Sequence, residues 1–130
     1  MRRRVIALLA TGLMTVGIAL PAPAATGFDF AGQWTSTDAA DGSNQLLRLV
    51  AQGPNGVRAV LFDDGGSIAC GSVDIPVIAT GEGDVSGDDL PIDYQVKCLD
   101  GTPASTATVV YTLQPDGTLT ENITATVWTR

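Results

Sequence analysis

Beyond residue 25 the chain carries no sustained apolar repeat at helical spacing. Short runs of β-branched and aromatic residues recur instead, separated by clusters of Gly, Asp, Asn and Pro. The runs predict strands over 33–37, 45–52, 57–62, 67–70, 77–85, 90–99, 106–114, 118–122 and 125–129. Between them, Asp41-Gly42, Pro54-Asn55-Gly56, Asp64-Gly65, Ser86-Gly87, Asp100-Gly101 and Pro115-Asp116-Gly117 supply residues that tolerate positive φ or preset a turn. Connections this short join antiparallel neighbours. The pattern therefore predicts an all-β antiparallel meander of eight or nine short strands, closed into a small barrel or folded as a β-sandwich. Closure is the more economical way to remove exposed strand edges.

Period two is cleanest in the later strands. Leu90, Ile92, Tyr94, Val96 and Cys98 share one face against Asp93, Gln95 and Lys97, and Ala107, Val109, Tyr111 and Leu113 alternate with Thr106, Thr108 and Thr112. In a barrel, Leu90, Ile92, Tyr94, Val109 and Tyr111 line the interior, as packed core or as the wall of a ligand cavity. The earlier strands are apolar on both faces at Leu46-Leu47 and Ala59-Val60-Leu61-Phe62, which implies a covered outer face or an adhesive patch.

The start of the chain reads differently. Arg2, Arg3 and Arg4 precede an apolar run over 5–20 and then Ala22-Pro23-Ala24, the three parts of a secretory signal peptide. The expected organisation is a signal peptide over 1–24, a tail over 25–31 and one barrel domain over 32–130, exported to a secreted or periplasmic location with no membrane segment in the mature form. In an oxidising compartment the two cysteines, Cys70 and Cys98, are expected to form a disulfide.

Removing the leader leaves four basic side chains, Arg48, Arg58, Lys97 and Arg130, against 14 acidic ones, a net charge of −10. Such a surface repels nucleic acid and anionic membranes. It also predicts that carboxylates, on average, titrate at raised pKa values in the folded state. The absence of any His removes the commonest general base and transition-metal ligand, and Lys97, the one Lys, falls on a wet strand face. Asp38, Asp41, Asp63, Asp64, Asp88 and Asp89 invite a calcium reading. Their spacing matches neither an EF-hand nor a repeat-in-toxin loop, so they read as solvated turn acids. No catalytic residue, metal site or cofactor is expected.

Gly32-Gln33-Trp34, opening the first predicted strand, resembles the G-x-W signature of the calycin barrels: lipocalins, avidins and small bacterial metalloprotease inhibitors. That resemblance implies that Trp34 plugs the closed end of a barrel and that Arg130, in the final Trp128-Thr129-Arg130, lies over its ring. The runs Trp34-Thr35-Ser36-Thr37 and Phe62-Asp63-Asp64-Gly65 also resemble short secreted bacterial domains, which implies no activity. The inhibitors are similar in length, leader and single disulfide, but their bridge lies nearer the chain start and their inhibitory trunk is longer. Avidin-like biotin sites use more Trp than the two present here.

The resulting expectation is a non-enzymatic exported binding domain, most concretely a protein-interaction or protease-inhibitor-like barrel contacting another secreted or periplasmic protein. Its tail over 25–30 would enter the protease cleft. The alternatives are a lipocalin-like carrier of a small apolar ligand, with ligand-dependent quenching of Trp34, or a structural secreted domain.

Overall fold

The computed structural model describes residues 17–103 and 105–130. The expected leader lies outside the described residues up to residue 16, and 17–24 run as exposed coil. A single helical turn, α1 (Gly27–Phe30), precedes strands β1 (Gly32–Thr37), β2 (Asn44–Ala51) and β3 (Gly56–Asp63). A second turn, α2 (Ser67–Cys70), leads to β4 (Val77–Asp84), β5 (Asp89–Cys98), β6 (Ser105–Leu113), β7 (Leu119–Glu121) and β8 (Val127–Trp128).

Each strand pairs antiparallel with the next, in the order β1 to β8. The sheet returns to its first strand at Thr35, which exchanges two backbone hydrogen bonds with Thr129, at 2.8 and 3.0 Å. One sheet thus curls into a nearly closed eight-stranded barrel, which decides between barrel and sandwich. A close approach helps it bend between β4 and β5. A Cβ on Gly83 would stand 1.7 Å from the Pro91 carbonyl oxygen, so only glycine fits that inward position.

Alternation sets the core. Along β5 the residues are alternately exposed and buried throughout, with Leu90, Ile92, Tyr94, Val96 and Cys98 turned inward. Leu47 and Leu49 on β2, Val57 and Ala59 on β3 and Val77 and Ala79 on β4 complete the same interior.

The fourth predicted strand, 67–70, is instead the turn α2. Cys70 N–H bonds the Gly66 carbonyl at 2.7 Å, and Gly71 ends the turn in the left-handed region at φ 76°. The segment has no buried residue to seat it in the sheet. Two further predicted strands are shorter than expected. At the β7–β8 turn, Glu121 draws the backbone N–H groups of Ile123, Thr124 and Thr126 onto its carboxylate, taking them away from any ladder. Ala125 in that turn adopts a positive φ of 56°. Among the described residues no helix is long and apolar enough to cross a membrane.

Candidate functional site: the barrel mouth

The up-and-down topology gives the barrel two unlike ends. At the closed end α1 tucks beneath the β2–β3 turn, where Gly27 N–H bonds the Pro54 carbonyl at 2.7 Å. Phe30 is fully buried, and its carbonyl accepts from the Trp34 indole N–H at 2.9 Å. The Arg130 guanidinium carbon stands 4.3 Å from the centre of the Trp34 ring, and the same group donates to the Asp29 carbonyl. A cation over an indole face, a satisfied indole N–H and a buried phenyl ring together seal this end. The part of the tail that would serve an inhibitor as its trunk is folded into that seal.

The other end opens into a cavity of about 140 Å3. Its walls are Leu61, Val77, Ala79, Val96, Ala107 and Val109, with Tyr94, Tyr111 and Trp128 supplying aromatic surface. Of the residues expected to line an interior, Tyr94, Val109 and Tyr111 face this cavity, while Leu90 and Ile92 belong to the filled core. The hydroxyls of Tyr94 and Tyr111 share a hydrogen bond of 3.0 Å. Burial pushes both phenols well above their ordinary pKa, so both stay neutral.

The loop carrying α2 covers part of the mouth, with Ile68 and Ala69 in the cavity lining. The disulfide between Cys70 and Cys98 anchors this loop to the end of β5. Gly66 lets the loop approach closely, since a Cβ there would fall 2.6 Å from a Val77 methyl. Asp41 in the β1–β2 turn accepts from the backbone N–H of Ser43 at 2.9 Å and of Ser67 at 3.4 Å. Those bonds tie the two loops together, and the Ser43 and Ser67 side chains, ahead of these backbone bonds, hold the Asp41 carboxyl down to about 2.

The rim is polar and acidic. Asp38, Asp63 and Glu121 are only 7, 8 and 8 % exposed, so two of the acids read from sequence as solvated are in fact buried. Gln45 links the pair through its amide nitrogen, which donates to Asp38 at 3.1 Å and to Asp63 at 2.8 Å. Asp63 also accepts from the Ser43 hydroxyl at 2.6 Å and the Gly65 N–H at 2.9 Å. Burial raises the Asp38 carboxyl above its ordinary pKa, opposed by the Ala40 N–H bond and reinforced by Asp41, Asp63 and Glu121. For Glu121 burial also pushes upward, but bonds from Thr124, Ile123 and Thr126 outweigh it and the net shift is down.

Among the described residues two polar atoms at this end are shut off from solvent with no hydrogen-bond partner, Gln45 Oε1 and Trp128 Nε1, and both residues line the cavity. Among the described residues no group of His, Cys, Asp and Glu is arranged to hold a metal. Asp41, Asp64, Asp88 and Asp89, which with Asp38 and Asp63 invite a calcium reading but read from sequence as solvated turn acids, lie in or beside turns. Asp64 accepts from Asn44, and Asp89 accepts from the Thr112 hydroxyl.

Sequence reading missed Gln45, Glu121 and Trp128 as site residues. Period two held the signal: Gln45 continues the inward series of Leu47 and Leu49, Asp63 continues Val57, Ala59 and Leu61, and Glu121 follows Leu119. An inward-facing charge at the end of a strand marks the rim of a barrel.

The outer face carries a second feature. Leu46, Phe62 and Ile78 lie side by side across β2, β3 and β4, each partly exposed, with Val60 and Val50 beside them. No protein family, curated protein or solved structure matches the chain.

Proposed function

We propose that the protein is a non-enzymatic binding barrel that carries one small, largely apolar molecule in its mouth cavity. The observation that carries this reading is the cavity itself, walled by apolar and aromatic side chains in a barrel whose opposite end is sealed. Its volume is close to that of apolar protein cavities, about 150 Å3, that take up benzene. Two lining residues, Gln45 and Trp128, each carry a buried polar atom without a partner, which supports an occupant that bonds there. The G-x-W opening, with Arg130 over Trp34, supports a place among calycin-like barrels. The arginine-led apolar stretch at 1–24 and the disulfide support export to an oxidising compartment.

Ligand binding is tested on the two Trp indole N–H resonances. Titrating the oxidised protein with phenol is expected to shift Trp128 saturably and leave Trp34 in place, because Trp128 lines the cavity and Trp34 lies in the opposite seal. The reporter is therefore Trp128, not Trp34. No movement of either signal up to the solubility limit rejects the carrier reading.

A second reading, contact with another protein, is favoured by the apolar outer row of Leu46, Phe62 and Ile78. An inhibitor that works by its tail would have to draw Phe30 out of the core first.

A further inference from the structure

We infer that the occupant of the mouth cavity is a small organic cation: an aromatic body bearing an oxygen acceptor within the cup and an ammonium group at the acidic rim. This rests on the reading of the cavity as a binding site.

The charge around the opening is one-sided. Asp38, Asp63 and Glu121 are each more than nine-tenths buried and line the cavity together, and among the described residues no basic side chain shares the lining. Every Lys and Arg among the described residues lies elsewhere. Arg48, Arg58 and Lys97 are exposed on the outward positions of β2, β3 and β5. Arg58 is engaged with Glu82 at 3.2 Å, and Arg130 caps the closed end. Three buried carboxyl groups without a counter-cation favour a ligand that brings one.

The unpartnered atoms sharpen the class. Gln45 is oriented by its two carboxylate partners, which take its N–H groups and leave Oε1 as a fixed acceptor with nothing to receive. An ammonium donates three N–H bonds and can serve Oε1 and a rim carboxylate at once. At the aromatic wall the need is opposite. Trp128 is 2 % exposed, and its indole N–H lacks an acceptor. A hydroxyl oxygen on the ligand body supplies one. The remaining wall, Val77, Ala79, Val96 and Val109, is saturated hydrocarbon, suited to the body of the molecule. The entrance is flanked by the exposed Ile68 and Ile123.

Four matched probes separate these elements: tyramine, 4-ethylphenol without the amine, phenethylamine without the hydroxyl, and 3-(4-hydroxyphenyl)propanoate with the charge reversed. Calorimetry on the oxidised protein at low salt is expected to rank tyramine at least tenfold tighter than 4-ethylphenol, and to detect no binding of the propanoate at the same concentrations. The gap between tyramine and 4-ethylphenol should narrow as salt is raised. The Trp128 indole resonance should move further with tyramine than with phenethylamine, while Ala79→Leu, which fills the cup, should abolish tyramine binding in a protein that still shows wild-type circular dichroism. Equal or tighter binding of 4-ethylphenol overturns the cationic class and leaves the carrier reading standing. Failure of all four probes overturns both. Tyramine binding undiminished in a folded Ala79→Leu variant places the site elsewhere and overturns the inference.

Discussion

Tyr94 and Tyr111 satisfy one another in the barrel interior, hydroxyl to hydroxyl at 3.0 Å, across the β5–β6 pair. Neither is more than 2 % exposed. Removing one hydroxyl strands the other, so Tyr111→Phe is expected to cost about 1–3 kcal/mol of unfolding free energy. Replacing both removes the orphan together with its partner. The double Phe variant should therefore lose clearly less than the sum of the two single changes, and a urea-unfolding double-mutant cycle reads that coupling. Strict additivity would mean that the pair does not act as a unit.

The closed end should prove stiffer than the mouth. Truncating Arg130 to Ala removes a cation from the Trp34 ring and a donor from the Asp29 carbonyl, and is expected to cost about 0.5–2 kcal/mol. Trp34→Phe removes the indole donor to the Phe30 carbonyl as well as ring volume, and should cost more. Denaturant midpoints measured on both variants check the order.

Reduction of the Cys70–Cys98 bridge releases the mouth loop as well as destabilising the fold. A cross-link over a separation of 28 residues is expected to contribute about 3–4 kcal/mol by loop-closure entropy. Faster hydrogen exchange after reduction should be concentrated over 66–76, where α2 loses its anchor. The closed-end amides of α1, held by Pro54 and Thr26, should change least. Uniform acceleration across the barrel would contradict a local tether.

Acid should weaken the protein, opposite to what its net charge alone predicts. Asp29, Asp41, Asp100, Asp116 and Glu121 have depressed carboxyl pKa values, in each case held down by hydrogen bonds from nearby Thr, Ser or backbone N–H groups. A depressed folded pKa contributes stability that is present above the unfolded value, about 4, and lost as pH falls through the folded value. For Asp41 that window extends down to about 2. Asp38, with its raised pKa, works in the other direction: its contribution is present below the unfolded value and lost as pH rises through the folded one. Five groups against one set the net sign. Melting temperature should fall steadily between about pH 4 and pH 2. A rise over that interval would restore the repulsion argument.

How much of this was legible beforehand follows from which forces act locally. Strand identity in β5 and β6 could be read because each buries one face, and burial writes period two directly into the residues from Leu90 to Cys98. The pairing of Cys70 with Cys98 followed from there being only two cysteines. The turn at Ser67–Cys70 was not legible, because four residues without a buried face carry no periodicity to distinguish strand from helix. The mouth was hidden for a different reason. Asp38, Gln45 and Asp63 meet through the β1–β2 and β2–β3 pairings, Glu121 joins them only when the sheet closes, and turn-like composition around Asp38 and Asp63 suggested solvent. The pKa directions went wrong on the same ground: counting charges ignores the short-range bonds that Asx-type turns make.

The placement of Arg130 against Asp29 has a practical consequence for how this barrel can be held. Both the segment leading into α1 and the last strand leave from the sealed end, at the opposite pole from the cavity. Attaching the barrel to a surface or a bead through a side chain beside Asp29 or Arg130 points the opening outward and leaves access to the cup clear.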